Sequence, residues 1–148
     1  MGHFATGVTV ITTRDVDGKP YGLTANSVCS VSLEPPMLLV CVDKRAESHP
    51  AFRRAGVFAV NILGLGHEEL SRRFAASGGD KFVDVDHRSG ASGAPLLHGA
   101  LGSVECRVVA MHDAGDHTIF VGEVEDLEAE GGDPLLFFRG KYRRLSED

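Results

Sequence analysis

Apolar and β-branched residues in this chain come in short bursts separated by turn-forming residues, a spacing that predicts strands rather than helices over most of its length. Val8 to Thr13 reads VTVITT and stops at Asp15-Val16-Asp17-Gly18, which predicts a strand entering a hairpin turn. Tyr21 to Ser32 continues in small and β-branched residues. It runs into Pro35-Pro36, a pair with no N–H to give a ladder and therefore the mark of an edge or a loop. Met37 to Val42, MLLVCV, is apolar throughout and predicts a strand buried on both faces.

Helical spacing is confined to two places. Ser48 ahead of His49-Pro50 reads as an N-cap with proline in the first turn, and Gly56 as the stop of a short helix. Val57 to Leu63 returns to strand. Glu68-Glu69 then opens a second helix whose dipole they complement and on which Leu70 and Phe74 share a face. Ser77 to Gly93 is rich in Gly, Asp and Ser and reads as a long loop, a length often tied to function. Beyond it, Ser103, Glu105 and Arg107 alternate with Val104, Cys106 and Val108, which predicts a strand with one wet face. Thr118 to Val124 and Leu135 to Tyr142 complete six or more strands. The fold class expected is therefore mainly β, an antiparallel barrel with short flanking helices, in one domain spanning residues 1–148.

Composition narrows the function. A chain of 148 residues suits one domain with a real core. Fifteen Lys and Arg against twenty-one Asp and Glu leave a net charge of −6, with no basic block longer than a pair such as Arg143-Arg144, which argues against nucleic acid as a partner. No apolar run approaches the roughly 18 residues of a membrane span. Cys29, Cys41 and Cys106 are odd in number and form no CxxC pair, so a reducing, cytoplasmic setting and structural packing are expected of them. Met1 to Thr6 fits the formal myristoylation pattern, but the apolar pattern begins at once and favours a folded start.

No GxSxG, HExxH or GxxxxGK[ST] motif is present. Gly64-Leu65-Gly66 lacks the third glycine and the βαβ setting of a dinucleotide fingerprint and reads as a loop. His112, Asp113, Asp116 and His117 gather potential metal ligands, yet Gly115 between two aspartates is turn chemistry, and no metal site is expected. Two stretches suggest a ligand. Thr24-Ala25-Asn26-Ser27 puts small side chains where a strand normally carries bulk, which suits either an edge or a flat ligand approaching the backbone. Asp43-Lys44-Arg45-Ala46-Glu47-Ser48 sets two cations and a hydroxyl beside a helix start, which suits either a phosphate or a solvated turn.

Taken in order, Gly7-Val8-Thr9-Val10-Ile11-Thr12-Thr13, Gly22-Leu23-Thr24-Ala25-Asn26-Ser27 and Ser30-Val31-Ser32-Leu33-Glu34-Pro35-Pro36 resemble the short-chain NAD(P)H:flavin oxidoreductases. The likeness continues through Phe58-Ala59-Val60-Asn61-Ile62-Leu63, Asp80-Lys81-Phe82, Gly93-Ala94-Pro95-Leu96-Leu97, Gly115-Asp116-His117 and Phe138-Arg139-Gly140-Lys141-Tyr142, nearly the whole chain. The resemblance implies a six-stranded FMN-binding split barrel and a homodimer that reduces FMN or FAD with NADH or NADPH and supplies the product to a partner monooxygenase. It implies that the flavin ring lies along Thr24, Ala25, Asn26 and Ser27, and that the Asp43 to Ser48 segment holds its phosphate, with Ser48, Lys44 or Arg45 supplying the donors. Lys81 and Phe82 would then lie close to the flavin, while His117, Arg139 and Tyr142 face the nicotinamide nucleotide, His117 as the candidate for positioning it. Family members usually carry a helical segment before the equivalent of Phe4, and the expectation is a weaker dimer if that segment is needed. Three rivals have distinct signatures: a flavin-binding module without turnover, a split-barrel oxidase that rejects NADH, and a metal protein built on the His112 to His117 cluster.

Overall fold

The structure, a computed structural model, describes residues 1–147, so Asp148 of the expected 1–148 domain lies outside the described residues. Its elements are β1 (Thr6–Gly7), β2 (Thr9–Arg14), β3 (Pro20–Ala25), β4 (Val28–Leu33), β5 (Pro36–Asp43), α1 (His49–Ala55), β6 (Val57–Ile62) and α2 (Glu68–Ala75). They continue with β7 (His87–Ser89), β8 (Pro95–Leu97), β9 (Gly102–Ala114), β10 (His117–Ala129), β11 (Leu136–Phe138) and β12 (Lys141–Arg143).

Seven strands form one antiparallel ladder in the order β3-β2-β6-β9-β10-β5-β4. Laid flat, its outer strands would stand ~29 Å apart at the usual strand spacing. Yet β3 and β4 are joined by Asn26 and Ser27 alone, a link that reaches no more than ~11 Å. The sheet must therefore curl into a barrel, split where β3 and β4 follow end to end instead of pairing. Seven strands replace the expected six because Tyr21 to Ser32, one continuous stretch in the pattern, breaks at Asn26. Two smaller sheets, β1-β11-β12 and β7-β8, accompany the ladder.

Two apolar clusters fill the molecule. Ile11, Val40, Val42, Phe52, Phe58, Val60, Cys106 and Phe120 occupy one, and Val8, Val10, Leu63, Phe74, Phe82, Leu97 and Leu135 the other. The strand buried on both faces is thus β2, which gives Ile11 to the first cluster and Val10 to the second. On β5, where that role was expected, only Val40 and Val42 are fully buried, because the outer face bearing Met37, Leu39 and Cys41 is only partly covered by the described residues. Gly122 of β10 is required by close packing, since a Cβ there would lie 2.7 Å from the Phe58 ring.

The wet face expected for β9 is dry over its first half. Ser103 and Glu105 are buried and only Arg107 is exposed. The turn before β8 covers that face, its Ser92 N–H and hydroxyl donating to the Glu105 carboxylate at 2.9 and 2.5 Å. Leu135 to Tyr142, expected as one strand, is a hairpin of β11 and β12, because Arg139 and Gly140 both take left-handed backbone angles, φ 52° and 74°. Cys106 is buried and its thiol pushed up to about 12 by desolvation, whereas Cys29 is exposed on β4 and does not serve the packing role expected of it.

Candidate functional site

Local chemistry decides where each candidate side chain ends up. Pro50 within the first turn starts α1 and Gly56, at φ 70°, ends it, but Ser48 departs from the expected cap. Its backbone is helical and its side chain makes no capping bond, which leaves the hydroxyl of this largely buried residue beside a cavity of about 780 Å³. Lys81 and Phe82 line the same cavity, with Tyr21, Glu47 and His87. Phe82 is held edge-on against Phe74 at 5.1 Å and against His87 at 5.1 Å. Gly22 allows this, because a Cβ there would meet the Phe74 ring at 2.8 Å. Lys81 Nζ donates to the Phe74 carbonyl at 3.3 Å, and burial pulls its ammonium below the usual lysine range while Glu47 opposes that shift. His87 donates Nδ1–H to the Val85 carbonyl at 2.8 Å.

A second group forms at the end of the barrel. β5 and β10 pair His117 with Asp43, and the Lys44 N–H donates to the Asp116 carbonyl at 2.9 Å, so the 43–48 turn and the 115–116 hairpin tip are one unit. Arg45 does not extend freely toward a ligand: its guanidinium grips Asp43 at 2.9 and 3.2 Å and lowers that carboxyl to about 2. Lys44 and Arg53 both reach Asp113, at 3.8 and 3.5 Å. His117 gives its Nδ1–H to Asp116 at 2.7 Å. Among the described residues no three His, Cys, Asp or Glu side chains converge as metal ligands, since the hairpin-tip carboxylates turn to these cations.

The third group lies at the split. Thr24 turns away from it, its hydroxyl donating to the Ser71 carbonyl at 2.5 Å, and Ala25 is buried. Asn26 and Ser27 are exposed and border two adjoining hollows of about 270 and 360 Å³, walled by Phe4, Val28, Leu39 and Cys41. Ser27 also ties β4 to β5, its hydroxyl donating to the Cys41 carbonyl at 3.2 Å.

Tyr142 is brought to the same helix as Thr24. Its hydroxyl shares a 2.7 Å hydrogen bond with Ser71 Oγ while Arg72 stacks over its ring at 5.1 Å. Arg139 is not brought to any of these groups; it stands exposed at the β11–β12 turn, its N–H bonded to the Gly2 carbonyl. Thr6, Tyr21, Glu47 and His87 border these hollows without having stood out in the pattern. Each is a single ordinary residue whose signal appears only when distant segments are packed together.

The residue types fit a flavin. Ser48 and Lys81 supply a hydroxyl and a cation for a phosphorylated tail, and the split offers an apolar slot with an uncommitted carboxamide from Asn26, among the described residues. The Thr6 hydroxyl, on the strand beside that slot, is buried without a hydrogen-bond partner among the described residues.

Comparisons with known proteins agree. The chain is 45% identical over 146 residues to the FMN reductase (NADH) SmoA of Agrobacterium fabrum, covering 99% of this chain and 83% of that one. It is 44% identical over 142 residues to the reductase component of 4-nitrophenol 4-monooxygenase/4-nitrocatechol 2-monooxygenase from Rhodococcus opacus, covering 96% and 76%. Among solved structures, the Streptomyces globisporus C-1027 NADH:FAD oxidoreductase SgcE6 in complex with NAD and FAD fragments superposes with a TM-score of 0.94 at 43% identity, over 99% of this chain and 89% of that one. Residues 1–146 match the flavin reductase like domain, and this chain therefore belongs to the flavin reductase-like family.

Proposed function

We propose that this chain is an NADH-dependent flavin reductase that delivers reduced FMN or FAD to a monooxygenase component. Family membership over nearly the full chain supports the reaction. The observation that carries the site is the convergence of Ser48, Lys81 and Phe82, which are distant in sequence, on one cavity. When bound, the flavin supplies the hydride-accepting ring, and the protein's task is to hold two planar groups face to face. In this reading Asn26, Ser27 and the backbone of Thr24 and Ala25 meet the ring edge, and Ser48 with Lys81 and Phe82 hold the tail. Lys44 and Asp43–Arg45 keep the 43–48 turn in shape beside it. His117 at the barrel end and Tyr142 beyond α2 orient the nucleotide, and Arg139 reaches it only from a neighbouring segment or copy. No side-chain acid or base is required for hydride transfer itself.

The same reading takes residues 1–148 as one working domain, cytoplasmic and homodimeric. No helix among the described residues is long and apolar enough to cross a membrane. The half-buried outer face of β5 and the exposed Val31 and Leu33 of β4 supply an apolar surface for a second copy.

The deciding experiment follows loss of NADH absorbance by flavin-free protein as FMN, then FAD, is added in excess, with NADPH as the comparison. Turnover that scales with added flavin is expected. Flavin bound without NADH oxidation would overturn the reductase reading in favour of an oxidase or a binding module.

A further inference from the structure

We infer that the exposed cations of α2 and the β11–β12 hairpin, Arg72, Arg73, Arg139, Lys141, Arg143 and Arg144, form a capture surface that draws the phosphate of an incoming flavin toward its site. This rests on the proposed flavin reductase function and adds to it how the flavin arrives.

The cations come from two segments far apart in sequence, and Tyr142 joins them. Its ring packs edge-on against Phe137 at 5.7 Å, and its hydroxyl shares the 2.7 Å bond with Ser71 Oγ, which sets β12 against α2. Arg72 lies over the same ring at 5.1 Å. All of these cations are exposed. Among the described residues none of them makes an ion pair, although Glu68 and Glu69 stand on the same helix and Glu147 follows the hairpin. The other arginines are committed. Arg45, Arg53, Arg54, Arg88 and Arg107 each face a carboxylate, and Arg14 donates to the carbonyls of Gly18 and Gly93. Lys44 pairs with Asp113, while the unpaired Lys19 and Lys81 line the flavin-tail cavity itself. Positive charge without a local partner is therefore concentrated in that cavity and where α2 meets the hairpin, on a chain whose net charge is −6.

Position gives this charge a use. Thr24, whose backbone meets the ring edge in the proposed function, donates to the Ser71 carbonyl, so Arg72 follows directly on the residue that holds it. Arg73 donates to the carbonyl of Val83, which lines the tail cavity with Lys81 and Phe82. Arg139 is bonded through its N–H to Gly2, just ahead of the Phe4 ring that walls the split. The patch thus borders both parts of the proposed site. A flavin phosphate carries roughly two negative charges, and a chain of net charge −6 repels it at a distance. Unpaired cations at the border reverse the local field over a Debye length, ~10 Å at 0.1 M salt, and raise the rate of productive encounter without adding a contact to the bound complex. A cation already paired contributes little to such a field, because its partner cancels it.

The test compares Lys141→Gln/Arg143→Gln with Arg88→Gln/Arg107→Gln, two variants of equal net charge that remove unpaired and paired cations respectively. Stopped-flow mixing of flavin-free protein with FMN, followed by fluorescence quenching, gives the association and dissociation rates. In Lys141→Gln/Arg143→Gln the association rate should fall about three- to tenfold at low salt, with the dissociation rate within about twofold of wild type. Arg88→Gln/Arg107→Gln should associate within about twofold of wild type. Raising salt to about 0.5 M should slow the wild type toward the first variant and leave that variant nearly unchanged. A wild-type association rate indifferent to salt overturns the inference, as does an equal fall in both variants, which would make net charge alone responsible. An unchanged association rate in Lys141→Gln/Arg143→Gln overturns it whatever happens to dissociation. So does an equal fall for riboflavin, which has no phosphate, since the effect would then lie in the shape of the site. Wild-type protein that neither binds FMN nor oxidises NADH overturns this inference together with the function on which it rests.

Discussion

Asn61 is fully buried in β6 and spends its whole side chain on other segments. Its Nδ2 donates to the Val10 carbonyl and to Thr12 Oγ1, each at 3.1 Å, and its Oδ1 accepts the Leu97 N–H at 2.9 Å. Removing it strands a buried donor and a buried acceptor at once. Asn61→Ala should therefore lower stability by about 2–4 kcal/mol, read as a shift of the denaturant midpoint at unchanged m-value. Ser48 is the opposite kind of residue. Because its side chain makes no capping bond, Ser48→Ala should leave the melting temperature nearly unchanged. The same change should weaken flavin binding by roughly 1–2 kcal/mol, the scale of one charge-assisted hydrogen bond, measured by titration. Ser48 was legible in the sequence because a hydroxyl beside cations and a helix start has a recognisable chemistry. Asn61 was visible only as part of a family-like stretch, since a satisfied core amide and a surface one look identical along the chain.

Among the elements, β9 shows where periodicity misleads. Ser103 and Glu105 alternate with apolar neighbours as a solvated face would, and yet both are buried, the 90–94 turn closing over Glu105. Glu105 is the reason that turn holds its place, accepting from the N–H groups of Ala91 and Ser92 and from the Ser92 hydroxyl. Gly90 stands so close that any Cβ would collide with the Glu105 carboxylate. Glu105→Ala should free the turn without unfolding the barrel, seen as faster amide exchange confined to residues 90–94. Retained protection there would show that Pro95 to Leu97, pinned through Thr12 and Asn61, suffices to hold it. The break between β3 and β4 has the same lesson. Small residues marked Thr24 to Ser27 as unusual, but whether they formed an edge, a bend or a gap depended on where β5 paired.

For the molecule as a whole, pH dependence follows from a buried histidine and from carboxylates held by neighbouring donors, Asp15, Asp43, Asp113 and Asp116. His49 is buried between α1 and β10, its Nε2–H donating to Thr118 Oγ1 at 2.8 Å, and burial together with the nearby Arg53 lowers its pKa below 6.5. The unfolded chain then binds the proton more readily than the folded one. This contribution to stability is present above about pH 6.5 and declines as pH falls through the interval below it. Asp43 behaves as a carboxylate held ionised by Arg45, with its pKa lowered from 3.8 to about 2. Its contribution is complete above pH 3.8 and is lost as pH falls toward about 2. Melting temperatures recorded across pH should therefore fall in two stages, with His49→Gln flattening the upper one and Asp43→Asn reducing the lower, to which Asp15, Asp113 and Asp116 also contribute. A single stage unaffected by either substitution would contradict this account.

Short β-branched runs, turn residues and two brief amphipathic stretches determined by themselves that this chain is an antiparallel β protein with two small helices, because strand and helix periods are local properties of the backbone. The ordered motifs likewise determined the family. What the tertiary structure alone decided was which surfaces were covered and which groups met. It made β2 rather than β5 the doubly buried strand, turned Arg45 back onto Asp43, and buried Glu105. It also left the buried Thr6 hydroxyl without a partner among the described residues. Burial and partnership are set by segments far apart in sequence, and a hydrogen bond not made is visible only once every neighbour is in place.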